Sequence, residues 1–143
     1  MNHSRKHLAY TVAALFIATF ASGQGLESKN LFGTHAITIE LKPNVTLDQF
    51  KEFYVSAVIP EYEKAWPGLR GYLVKSFRDQ NKLAIVWLFK NEAARNRYFT
   101  ADDKPNDLEK AAYEKVKPVE EQLKARYGTY TVKYQKDDDW VVE

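Results

Sequence analysis

Residues 82–90 read Lys-Leu-Ala-Ile-Val-Trp-Leu-Phe-Lys, seven consecutive apolar residues between two lysines. The run is short for a globular helix, and its β-branched and aromatic content predicts a strand. Successive side chains of a strand point to opposite faces, so the odd-numbered residues 83–89 share one face and residues 84, 86 and 88 the other. Both faces are apolar. The strand therefore needs a cover on each side of its sheet.

Residues 1–23 have the organisation of a secretory signal. Arg5 and Lys6 precede a mostly apolar run over residues 8–20, and Ala-Ser-Gly at 21–23 offers small residues for cleavage before Gln24. The alternative is a membrane anchor, but the run of roughly thirteen residues is shorter than the ~20 that span a bilayer. We expect an exported protein without a stable membrane anchor, residing in the periplasm or outside the cell.

Charge and cysteine content exclude several classes of function. The formal net charge of +2 equals the contribution of Arg5 and Lys6, so a chain without residues 1–23 is close to neutral. Such a chain gives no reason to expect nucleic acid or an anionic membrane as a partner. The absence of cysteine excludes a disulfide framework, a thiolate nucleophile and a cysteine metal site.

The first half of the remaining chain predicts a strand followed by a helix. Residues 24–33 are polar and contain glycine, which indicates a flexible leader before a domain at 34–143. Residues 35–41 alternate as a strand with one apolar face. Thr46 and Gln49 fit a capping box, and Pro60 predicts that the helix they open is kinked near Ala57.

The second half predicts a hairpin, two helices and a last strand. Strands over 69–78 and 83–89 flank a short polar turn, which indicates antiparallel pairing. Asn91 is expected to cap a short helix through Phe99, and Pro105 to open a longer one that ends at Gly128. Residues 129–135 predict a strand, and 140–142 either a short edge strand or an arm on a neighbouring subunit. The core-facing stripe of the longer helix would be Leu108, Ala112, Val116, Val119 and Leu123.

The order of these elements is strand, helix, strand, strand, helix, strand. This order predicts an α+β, ferredoxin-like βαββαβ fold, in which both helices cover one face of a four-stranded antiparallel sheet. The other face would be bare, although the strand at 83–89 is apolar on both sides. A second copy of the chain would bury that face, so we expect a homodimer.

Three features resemble the dimeric α+β-barrel superfamily, which includes antibiotic-biosynthesis monooxygenases and stress-responsive barrel proteins. They are the element order over 35–135, the proline in Val-Ile-Pro-Glu-Tyr at 58–62 ahead of Trp-Pro-Gly at 66–68, and the apolar strand running into Asn-Glu-Ala-Ala at 91–94. The resemblance implies a ligand between the sheet and the helices. Members include cofactor-independent oxygenases, haem binders and proteins with no known chemistry. No catalytic set of the superfamily matches residues here.

His35 is the only histidine beyond residue 23. At the end of an apolar strand face it could serve as a base or a haem ligand. We favour a partly exposed strand-end histidine, because the nearest carboxylate that could orient it, Glu40, falls on the opposite face. One histidine, no cysteine and an Asp run at 137–139 without calcium-loop spacing predict neither a metal site nor a cofactor.

Aromatic residues offer a second kind of candidate. Residues of this type line pockets for flat organic ligands, although at strand and helix spacing they more often fill a core. Arg95, Arg97 and Tyr98 could clamp an anion, but a solvated helix face is the preferred interpretation. Asn44-Val45-Thr46 matches a glycosylation acceptor, which matters only in a host that glycosylates secreted chains. The candidate ligand-binding residues are His35, Tyr54, Trp66, Tyr72 and Trp87, with Tyr130 as a further aromatic neighbour.

Three functions are compatible with this sequence. The leading hypothesis is an exported homodimer that binds a small aromatic or apolar molecule without covalent chemistry. The second is a cofactor-independent monooxygenase acting on an aromatic substrate. The third is a non-catalytic structural or interaction module whose aromatic residues only fill its core.

Overall fold

The apolar run is strand β3 (Leu83–Phe89), and it pairs with an antiparallel neighbour on each side. The structure, a computed structural model, describes residues 26–79, 81–133 and 139–143. The expected signal, Gln80 of the hairpin turn and residues 134–138 lie outside this part. The other strands are β1 (Leu31–Leu41), β2 (Leu69–Lys75), β4 (Gly128–Lys133) and β5 (Asp139–Val141). The helices are α1 (Leu47–Phe53), α2 (Ile59–Ala65), α3 (Glu92–Asn96) and α4 (Asp107–Arg126).

The strand order is β2-β3-β1-β4, and β5 pairs with the start of β1. Every pairing among these strands is antiparallel. The antiparallel sheet with helices on one face confirms the predicted ferredoxin-like α+β fold.

The two faces of β3 have different surroundings. Leu83, Ile85 and Phe89 belong to the core beneath the helices, and half-buried Trp87 packs against that core. Residues 84, 86 and 88 point to the opposite face. The odd-numbered face is therefore the one that the helices cover.

Strand β1 begins four residues earlier than the sequence predicts. Lys29 donates its backbone N–H to Val142 O at 2.7 Å, and Val142 donates to Asn30 O at 2.8 Å. The buried Asn30 side chain also donates to Lys90 O at 2.8 Å. These bonds hold Leu31 and the following residues against β3 and β5, so the expectation of a flexible leader through residue 33 is wrong for residues 31–33. Residues 140–142 were expected as an edge strand or an arm, and β5 is the edge strand.

The first helical segment contains a widened turn rather than a simple break. The capping box is present: Gln49 N donates to Thr46 Oγ1 and Thr46 N to Gln49 Oε1. A π-helical turn, Tyr54–Val58, then joins α1 to α2, and Ile59 N–H donates to Tyr54 O. Pro60 follows in the first turn of α2, where its missing N–H has least effect.

Several predicted boundaries are wrong by a few residues. Helix α4 begins after Asn106, whose side chain accepts from Leu108 N and Glu109 N, so Pro105 precedes the helix. Leu108 is 56% exposed and does not belong to the core stripe, which begins at Ala112. Strand β2 ends at Lys75, and the turn begins at Ser76, whose backbone N–H donates to Lys82 O at 2.8 Å. Helix α3 ends at Asn96 rather than Phe99, and Gly128 begins β4.

Candidate functional site

Two phenol hydroxyls meet at one carboxylate between the helices and the sheet. Tyr62 of α2 donates to Glu120 Oε1 of α4 at 2.9 Å. Tyr130 of β4 donates to the same oxygen at 2.8 Å. All three residues are half-buried. We call Tyr62, Glu120 and Tyr130 the phenol–carboxylate cluster.

The position of each residue follows from its element. Glu120 is four residues after Val116 and three before Leu123, both buried, so it lies beside the core stripe of α4. Tyr130 pairs with Ile39 of β1, on the helix side of the sheet. Its ring meets that of Tyr54 edge-on, with centroids 5.4 Å apart. The cluster thus joins α2, α4 and β4.

The surroundings keep both phenols protonated. Burial, followed by the neighbouring Glu120 carboxylate, raises the pKa of Tyr62 far above its ordinary value of 10.0. Burial and the neighbouring Tyr54 hydroxyl raise the pKa of Tyr130 in the same direction. A phenol held in this way donates a hydrogen bond to the carboxylate, keeps its proton and is not available as a phenolate base. Both phenols therefore act as hydrogen-bond donors to Glu120.

An aromatic stack adjoins the cluster. The Tyr62 ring lies between those of Trp66 and Trp87, with centroid distances of 5.1 and 4.9 Å. Trp87 is opposite Gly33 on β1 and Gly71 on β2. Because neither glycine has a side chain, the indole can lie across β2: a Cβ at Gly71 would be 2.5 Å from Trp87 Cζ3. Flat rings and polar groups therefore occur side by side.

Four of the five predicted ligand-binding residues lie on the helix side of the sheet. Tyr54 and Trp66 are buried in the core, Trp87 is half-buried beneath Tyr62, and His35 is half-buried opposite Ile85. Tyr72 pairs with Val86, which puts it on the opposite face with 43% of its surface exposed. Tyr72 cannot share a pocket with the other four. Ligand binding by any of them stays a prediction.

The sequence interpretation missed Glu120 as a site residue and did not single out Tyr62. Glu120 lies in a charged run from Glu114 to Lys124, a pattern that predicts an exposed helix face. Its spacing from Val116 and Leu123 is the signal that places it next to the core. The helical spacing of Tyr62 from Tyr54 and Val58 predicts a core-facing residue, but a helical pattern does not reveal which residue of another element its hydroxyl contacts.

The predicted basic and aromatic group at residues 95–98 has a structural role. Arg95 is buried, pairs with Asp103, and lies 5.0 Å from the ring centroid of Phe99. Tyr98 is also buried. The expected solvated face is therefore wrong for Arg95 and Tyr98, because the guanidinium joins α3 to the loop that follows it.

A polar groove of about 200 Å³ lies at another place, beside the start of β2. Arg70 donates to Glu63 at 2.9 Å at this groove, and Glu63 also accepts from Gly71 N at 3.0 Å. None of the five predicted ligand-binding residues lines it. Its walls are formed by Glu27, Asn30, Glu63, Gly68, Leu69, Arg70, Leu88 and Lys90.

The part of the chain that the structure describes holds no group of three side chains suited to a metal ion. In the same residues, no helix is both long and apolar enough to cross a membrane.

No family model and no curated protein matches the chain. Among solved structures it is similar to SnoaB, a cofactor-independent oxygenase from Streptomyces nogalater, with 12% identity, 77% of this chain and 96% of that chain covered, and a TM-score of 0.42. A putative antibiotic biosynthesis monooxygenase from Caulobacter crescentus has 16% identity, coverages of 75% and 89%, and a TM-score of 0.35. A dimeric protein of unknown function and ferredoxin-like fold from Bacteroides fragilis has 14% identity, coverages of 78% and 95%, and a TM-score of 0.27.

These structures are of the kind that the sequence resemblance predicts. At 12% to 16% identity, the likeness concerns the fold and assigns no activity, ligand or assembly to this chain.

Proposed function

We propose that this protein binds a small planar aromatic molecule, without covalent chemistry, beside the phenol–carboxylate cluster. The observation that supports this most directly is the meeting of two phenols on one oxygen of half-buried Glu120. Burying a carboxylate costs free energy, and the cluster keeps one beside the stacked rings. Polar groups next to stacked rings are typical of sites that orient an organic ligand.

The two phenols of the cluster are not candidates for the base that an oxidation would need. Activating an aromatic substrate toward oxygen requires a base that removes a proton from it. Tyr62 and Tyr130 are held protonated, and Oε1 of Glu120 is already engaged by both. The cluster therefore offers contacts that orient a ring rather than a phenolate that could act as base.

Quenching of tryptophan fluorescence during titration with 2-naphthol tests the proposal. We expect saturable quenching, because Trp87 adjoins the cluster. Trp87→Leu should weaken binding by about tenfold or more, since stacking is worth ~1 kcal/mol beyond area burial and area is lost as well. Trp140→Phe is the matched control, because Trp140 lies on the strand that pairs with Phe32 at the sheet edge and is 59% exposed.

Equal affinity of the wild type and Trp87→Leu, with both melting normally, would overturn the placement of the site. Oxygen consumption in the presence of phenolic compounds would instead indicate the monooxygenase function. Absence of any binding by planar aromatic compounds would support a structural module.

We also propose that the protein is a homodimer joined through the sheet face opposite the helices. Tyr72 and Val74 are 43% and 38% exposed on this face, next to half-buried Val86 and Ala84. Adjacent apolar side chains of this kind mark interaction surfaces. A second copy presents the same surface and would cover them. Light scattering that shows a monomer at micromolar concentration would contradict this.

Export through residues 1–23 is a further proposal, and the support for it is the sequence pattern alone. The mass of the protein purified from the envelope or medium of a secreting bacterial host tests it. We expect a chain that begins at Gln24, and a full-length chain retained in the cytoplasm would contradict the proposal.

A further inference from the structure

The carboxylate of Glu120 has one engaged oxygen and one that the described chain does not engage. Oε1 accepts from Tyr62 and Tyr130 at 2.9 and 2.8 Å. Within residues 26–79, 81–133 and 139–143, no group donates a hydrogen bond to Oε2 and no lysine or arginine pairs with Glu120. Since a carboxylate has about four lone-pair sites, half of its accepting capacity remains for another donor.

The polar atoms of the cluster are acceptors toward any incoming molecule. Tyr62 and Tyr130 direct their only hydroxyl protons to Oε1, so neither offers a proton to a ligand, and Tyr130 also has the Tyr54 hydroxyl as a hydrogen-bond neighbour. Oε2 is therefore the main acceptor that the cluster offers, beside half-buried Trp87. A ligand that is itself an anion would meet a like charge there without a compensating donor, which disfavours it.

We infer that the ligand is a planar aromatic molecule with a hydroxyl or amino group, and that this group donates a hydrogen bond to Oε2 of Glu120 while the ring packs against Trp87. The inference rests on the proposed function and narrows it to ligands that donate. A carboxylated aromatic molecule is the class that the site rejects.

A matched series of naphthalenes tests the requirement for a donor. 2-Naphthol donates a hydrogen bond, 2-methoxynaphthalene does not, 2-naphthylmethylamine is a cationic donor, and 2-naphthoate is an anion. We expect 2-naphthol to bind about tenfold more tightly than 2-methoxynaphthalene, as one hydrogen bond to a charged acceptor predicts. 2-Naphthoate should bind most weakly, and the amine distinguishes a neutral from a cationic donor as the preferred form.

The variant Glu120→Gln provides a second test of the donor requirement. The amide oxygen can still accept from Tyr62 and Tyr130, and the amide NH₂ then replaces Oε2 with a donor. The preference should disappear, with 2-naphthol losing about tenfold in affinity and 2-methoxynaphthalene keeping its affinity. A cooperative melting transition verifies that the variant is folded.

The two proposals fail in different ways. If none of the four compounds binds the wild type, the proposed function is wrong. If all four bind the wild type with similar affinity, the donor requirement is wrong and the proposed function stands. The wild-type series decides this even if the Glu120→Gln variant does not fold.

Discussion

At the scale of the residue, the hydroxyls of Tyr62 and Tyr130 connect folding to alkaline pH. Burial raises both phenol pKa values above the ordinary 10.0, so the unfolded chain loses these protons first as the pH rises. The native state then binds more protons than the unfolded state, and the free energy of unfolding falls. This stabilisation is complete below about pH 10 and decreases above it.

Tyr62→Phe and Tyr130→Phe separate these effects. Each variant should lose about 1–3 kcal/mol at neutral pH, the value of a hydrogen bond to a charged acceptor. Above pH 10 the slope of unfolding free energy against pH should be shallower than that of the wild type by up to about 1.4 kcal/mol per pH unit, one phenol proton. Urea unfolding between pH 7 and 12, a range that brackets the phenol titration, measures both quantities.

Tyr113→Phe is the control, since Tyr113 is an exposed tyrosine of α4. It should leave the neutral-pH stability nearly unchanged. An alkaline slope that is the same in the wild type, Tyr62→Phe and Tyr130→Phe would show that the phenols of the cluster do not carry the pH dependence.

Gly71 determines the position of the Trp87 indole. A Cβ at residue 71 would be 2.5 Å from Trp87 Cζ3 and 3.0 Å from Ile59 Cγ2, so the indole has to move in Gly71→Ala. We expect a loss of about 1–3 kcal/mol, as in other overpacked cores. Trp87→Leu in the same chain should remove most of this extra cost. Thermal unfolding of the two single variants and the double variant measures the coupling, and additive losses would contradict the contact.

At the scale of the element, the two helix prolines differ in what they cost. Pro60 lies in the first turn of α2, after the π-helical turn. Pro118 lies inside α4, where it cannot donate to the carbonyl four residues earlier. We expect Pro118→Ala to raise the free energy of unfolding by about 1–2 kcal/mol, part of the ~3 kcal/mol cost of an interior proline. Pro60→Ala should change it by less than about 1 kcal/mol.

Thermal unfolding followed by circular dichroism measures both changes. A larger gain from Pro60→Ala than from Pro118→Ala would contradict this account. Such a result would mean that the π-helical turn is strained by the proline rather than adapted to it.

Local patterns predicted the elements well because each depends on near neighbours. The run Leu83–Phe89, the capping box at Thr46 and the polar turn after β2 are all decided within a few residues of sequence. The start of β1 was missed because Leu31 is held by bonds that Lys29 and Asn30 make with Val142, at the other end of the chain. Glu120 was missed for the same reason, since its partners belong to α2 and β4.

At the scale of the whole molecule, the two faces of β3 have different roles. The odd-numbered residues, which include Trp87, pack beneath the helices next to the proposed ligand site. The even-numbered residues lie on the face that carries Tyr72 and Val74. The sequence predicted that both faces need a cover, but alternation alone could not say which cover belongs to which face.

The outer face should therefore control assembly without affecting the helix side. Tyr72→Glu introduces a charge among apolar neighbours. Burying that charge in a dimer costs more free energy than the apolar contact contributes. We expect dissociation into monomers that keep their native circular dichroism. Tyr113→Glu is the matched control, because Tyr113 is 44% exposed on α4, against 43% for Tyr72 on the sheet.

Sedimentation equilibrium of the wild type and both variants measures the result. A dimer that dissociates in Tyr113→Glu but not in Tyr72→Glu would place the interface on the helices. The proposed ligand site would then lie at the subunit boundary, and binding of 2-naphthol would depend on protein concentration. If the interface lies on the outer sheet face, binding of 2-naphthol should be independent of protein concentration. The reason is that the phenol–carboxylate cluster is complete within one chain.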